Sequence, residues 1–128
     1  MQRAELEHLR HHVLHLHKAL IDDARIQVER LEGRLTAHQF FERLTSDPAL
    51  AWLAPLTQVI VAMDEWLDDA EATAAAAVEL AAEVARLLVP ADDGDRFQQQ
   101  YAVLMQREPA VVLAHAAVGR ALPRRDPA

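Results

Sequence analysis

The strongest constraint on this fold is an apolar seam near the start of the chain, formed by Leu6, Leu9, Val13, Leu16 and Leu20. Steps of three, four, three and four residues keep these side chains on one stripe of a helix, facing another helix. The seam requires a packed helical protein and names no reaction. Past Leu20 it steps to Ala24, Val28, Leu31 and Leu35. The four-residue step from Leu20 to Ala24 is a stutter, which locally straightens a supercoil. The first helix is predicted over residues 2–32, with Gly33 ending or bending it.

A chain of 128 residues, 52% of them apolar, has material for one core burying roughly two-thirds of the unfolded surface. The fold class expected is all-α: a single-domain bundle of four principal helices with short helical connectors over residues 1–122, and a frayed tail at 123–128. The absence of cysteine excludes a zinc ribbon, a thiol nucleophile and a disulfide framework. Residues 1–9 alternate charged and apolar side chains and lack the apolar core of a signal peptide. The longest apolar-rich stretch, residues 49–63, is interrupted by Pro55, Thr57 and Gln58 and is too short to cross a bilayer. A cytoplasmic protein without a membrane partner is expected. Twenty acidic against thirteen basic residues give a net charge of −7, which argues against a phosphate-binding surface and a nucleic-acid partner. Only residues 120–125 are locally basic.

Local signals divide the remainder. Thr36 with Gln39 is a capping box that opens a short helix through Phe40, Phe41 and Leu44. Asp47 followed by Pro48 starts another short helix, expected to break or kink at Pro55. From Pro55 a longer helix turns Leu56, Ile60, Met63 and Leu67 inward, with Val59 and Trp66 flanking. Asp68 and Glu71 predict an alanine-rich helix over 70–89, with Ala74, Ala77, Ala81, Ala85 and Leu88 inside. Residues 95–107 form the next helix, with Phe97, Tyr101 and Leu104 on one face, and Pro109 restarts the chain into the last.

Three groups could carry chemistry. His8, His11 and His15 share an arc of the first helix, with His12 able to replace His11. Such an array is a weak metal candidate on the outer face, where a single helix supplies no closed ligand shell. A di-iron bundle needs Glu-x-x-His on two helices, and the chain has only Glu5 with His8. The second group is acidic: Asp64, Glu65, Asp68, Asp69 and Glu71. Asp64, flanked by Ile60, Val61 and Leu67, would need an arginine or histidine partner if buried. The third is His17 and His115, each expected to be half-buried, a placement that usually belongs to a hydrogen-bonded packing residue. Trp52, Trp66, Phe40 and Phe41 are expected as core or interface anchors. No phosphate loop or catalytic triad is apparent, so no enzyme activity and no cofactor are expected.

Two segments extend the reading. Residues 16–22, LHKALID, and residues 47–65, DPALAWLAPLTQVIVAMDE, resemble LHKxLID and DPxxAWLxPLxxxIVxxDE segments of a group of small bacterial proteins. The resemblance implies a soluble, mostly helical bacterial protein and brings no activity with it. It directs attention to His17, Lys18, Asp22, Trp52, Asp64 and Glu65.

The function expected is a non-enzymatic interaction or assembly module, homodimeric, with a further protein partner conceivable. The alternative is a ligand- or metal-binding bundle in which His17, Asp64, Glu65 and His115 converge on an internal polar pocket near Asp64.

Overall fold

A computed structural model of the protein describes residues 1–123, and every regular element among them is helical. The elements are α1 (Arg3–Glu32), α2 (Ala37–Ser46), a 3₁₀ segment (Pro48–Leu53), α3 (Ala54–Asp68), α4 (Ala74–Leu87), α5 (Arg96–Arg107) and α6 (Pro109–Ala121). One continuous core draws side chains from all seven, so the chain is a single domain. Six α-helices, of which α1 is the longest, make up the regular structure of the described residues together with the 3₁₀ segment. Glu108 ends α5 and caps α6 at once, so these two count as full, directly abutting helices. The fraying expected at 123–128 falls, beyond Pro123, outside the described residues.

Helix α1 is the axis of the structure. Leu6, Leu9, Val13, Leu16 and Leu20 are fully buried and Ala24 nearly so. α3 packs along one flank of α1, α6 along the other, and α4 contacts both α1 and α3. Arg107, just before α6, bonds Asp23 of α1, while Arg120, near the end of α6, approaches His12. α6 therefore runs antiparallel to α1. Beyond Ala24 the predicted seam loses its cover: Val28 is half-buried and Leu31 is 88% exposed. Gly33, at φ +85°, reverses the chain there in a conformation that penalises any side chain. The returning segment is pinned to α1 by Arg25, which donates to the Leu35 carbonyl at 2.7 Å, and by Glu29, which accepts from the Leu35 amide at 2.8 Å.

The Thr36–Gln39 capping box forms as its sequence requires, and a second one joins Asp95 and Gln98 at the start of α5. One boundary falls where the sequence reading put it and one does not. The short helix from Pro48 ends at Leu53 and α3 starts at Ala54, with Pro55 in its first turn, where its missing N–H costs nothing. Asp68 is not the cap of α4. It closes α3, Asp69 makes a local turn by accepting from the Glu71 amide at 2.9 Å, and Thr73 caps α4 through Ala76. A carboxylate that can bond its own neighbouring amides favours a turn over a helix start. With the later start, Ala74 is exposed and Ala85 half-buried, while Val84 and Leu87 join Ala77, Ala81 and Leu88 in the core. Phe41, expected as an anchor, is 61% exposed, whereas Phe40 is buried.

Candidate functional site

Residues Arg3, Arg10 and His17 recur every seventh position of α1, just beside the leucine seam, and each meets α3. Arg3 donates to the Leu67 carbonyl and lies 5.4 Å over the Trp66 ring. Arg10 bonds the Asp64 carboxylate. His17 Nε2 is 2.9 Å from the Thr57 hydroxyl. The partners descend in α3 as α1 ascends, so the two helices are antiparallel and share a polar flank. Asp64 is thus half-exposed with an arginine partner, and its neighbour Val61 faces solvent. His17, half-buried as expected, has its imidazole pKa pulled below the ordinary value by desolvation.

The residues expected to converge stand apart. Seven residues of helix separate His17 from Arg10, the partner of Asp64, which is about 10 Å along the axis. Glu65 lines an open acidic depression with Asp69, Glu71 and Glu79. His115 lies on α6, where Nδ1 is 2.7 Å from the hydroxyl of the fully buried Tyr101. Burial raises the Tyr101 pKa and lowers that of His115, so both are neutral near pH 7. Lys18 and Asp22 form an exposed pair one turn apart at 2.6 Å. Among the described residues no charged side chain is buried, and no three His, Asp or Glu side chains are grouped to hold a metal ion.

Trp52 is the exception. It lines a cleft of about 320 Å³ between the end of α1, the 3₁₀ segment and α5. Val28, Leu31, Leu50, Trp52, Val103 and Leu104 supply its apolar surface, and Trp52 is backed by Phe97 at 5.7 Å between ring centroids. Two ion-pair clusters form the rim. On one side Arg107 bonds Asp23 at 2.9 Å; on the other Arg43 bonds Glu32 and lies 3.7 Å from Asp47. The hydrogen bond that Arg43 donates to the Glu32 carboxylate raises the Arg43 pKa above its usual value. Three carboxylates against two guanidiniums leave the cleft close to neutral on a strongly acidic protein. The Asp47–Trp52 segment was legible as a distinctive stretch of sequence. The partners that complete the cleft, Leu31, Arg43, Val103 and Arg107, carried no such signal because they come from three other helices.

The chemistry available is that of contact. The cleft has no nucleophile paired with a base, and each of its charged groups already has an ion-pair partner. Its size and aromatic floor suit an apolar side chain or a small ligand. Comparison with protein-family models, curated proteins and solved structures gives no match to this chain.

Proposed function

We propose that the protein is a non-enzymatic assembly module that pairs with a second copy of itself through the cleft at Trp52. The observation that carries this reading is the position of Leu31, an 88% exposed leucine on the lip of an apolar cleft that it does not fill. A knob beside a hole is self-complementary across a two-fold axis, because each copy then fills the other. The near-neutral rim supports the same choice, since a surface carrying the full acidic excess would repel its copy.

The magnitudes favour a weak pair. Burying two exchanged Leu31 side chains contributes about 3–6 kcal/mol, against an association cost of about 4–15 kcal/mol. Val103, also half-exposed in the cleft, adds to the favourable side. Sedimentation velocity over a wide concentration range should show a reversible monomer–dimer equilibrium. Leu31→Asp should leave the monomer alone at every concentration, with an unchanged helical circular dichroism spectrum. A wild type that stays monomeric to the highest soluble concentration overturns the proposal, as does a Leu31→Asp protein that dimerises normally. A second reading, a small apolar ligand in the same cleft, is favoured by its volume alone. Native mass spectrometry showing a stoichiometric bound mass, displaced by no dimer, would select it.

A further inference from the structure

The histidines of α1 take no part in the cleft. His8, His11 and His15 are exposed, and His12 is half-buried at the α6 flank. Their rings form a continuous chain, with centroids 4.7 Å apart for His8–His12, 5.2 Å for His11–His12 and 4.5 Å for His11–His15. Among the described residues, the ring hydrogen bonds and ion pairs of histidine belong to His17, His38 and His115. The four imidazoles of the cluster keep their lone pairs available.

We propose that His11 and His15 chelate one late first-row divalent cation, copper(II) before nickel(II), on the exposed face of α1. The ring spacing is the reason. With metal–nitrogen bonds of about 2.0–2.1 Å, two imidazoles bound at a right angle have centroids roughly 4.5 Å apart, and at a tetrahedral angle roughly 5.2 Å. The His11–His15 separation of 4.5 Å equals that of the right-angle bite adopted by square-planar and octahedral ions, so both rings reach one such ion once their nitrogens turn toward it. Copper(II) stands above nickel(II) in intrinsic affinity for such nitrogen donors. The i, i+4 spacing puts both rings on one face a single turn apart, so the chelate also clips that turn of helix. No third side chain joins the pair among the described residues, so water completes the shell and the ion stays exchangeable. His8 and His12 have similar spacing, but Arg120 approaches His12 and opposes a second cation there.

The test is a copper(II) titration of the untagged chain at neutral pH, followed by electron paramagnetic resonance and calorimetry. The first equivalent should show nitrogen hyperfine structure from two imidazoles. His11→Gln with His15→Gln should weaken that equivalent by more than the roughly 10–100-fold that losing a supporting group alone costs. His8→Gln with His12→Gln should retain it. Retention of the first equivalent in the His11/His15 variant, or equal loss in both variants, overturns the assignment. So does wild-type binding no tighter than that of the His11/His15 variant, which would mark an adventitious ion only. Both His11 and His15 face solvent, so a helical circular dichroism spectrum is expected of their variant. None of these outcomes depends on the cleft or on dimer formation.

Discussion

The two ends of α1 carry the same apolar repeat and meet opposite fates. From Leu6 to Leu20 the stripe is sealed by α3, α4 and α6, and its side chains retain no exposure. From Val28 to Leu31 the stripe continues on the same side of the helix with little over it. The difference lies outside α1: Gly33 turns the chain away, and α2 settles against the 3₁₀ segment instead of following the seam. Periodicity decides which side of a helix is apolar, and the rest of the chain decides whether that side is covered.

The sharpest way to break this contrast is a matched pair of truncations. Leu16→Ala removes a fully buried side chain and should cost about 2.7–5.0 kcal/mol in a urea melt. Leu31→Ala in dilute protein should stay within about 0.5 kcal/mol of wild type. Equal losses would mean the far end is as well covered as the near one. A smaller effect is expected where a buried hydroxyl, and not apolar area, is removed. Tyr101→Phe takes away the bond to His115 and should cost about 0.5–1.5 kcal/mol, because half-exposed His115 can turn to water.

The same bond has a pH signature. Burial holds the His115 pKa below its ordinary 6.5, so the unfolded chain takes up that proton first as pH falls. The contribution is therefore complete above pH 6.5 and declines below it. Plotted against pH, the stability difference between wild type and His115→Gln should be level above 6.5 and shrink on acidification. A difference that grows on acidification would contradict the assignment. A small effect also belongs to Arg10 and Asp64, which are part-exposed. A double-mutant cycle should return about 0.2–1 kcal/mol, falling with salt.

Short-range chemistry was the legible part of this sequence. The seam, the capping box at Thr36, the cap at Asp47 and the stop at Gly33 each depend on residues within one or two turns. The start of α4 was misread because Asp68 and Glu71 match a cap pattern locally, while Thr73 does the capping beside a Trp66 indole that donates to its carbonyl at 2.8 Å. The candidate site was far less legible. Trp52 could be singled out, but the cleft around it closes only when residues from α1, α2 and α5 arrive together. Asp64, His17 and His115 were rightly seen as near apolar surface, and each spends its polarity on one tertiary contact in a different place.

Leucines interdigitated with their neighbours already resist a one-turn slip of two helices. The ladder of Arg3, Arg10 and His17 against α3 favours the same register, since such a slip parts three polar side chains from their partners at once. Grease glues α1 to α3, and the polar teeth key the pair into a single register, like the notches of a ratchet.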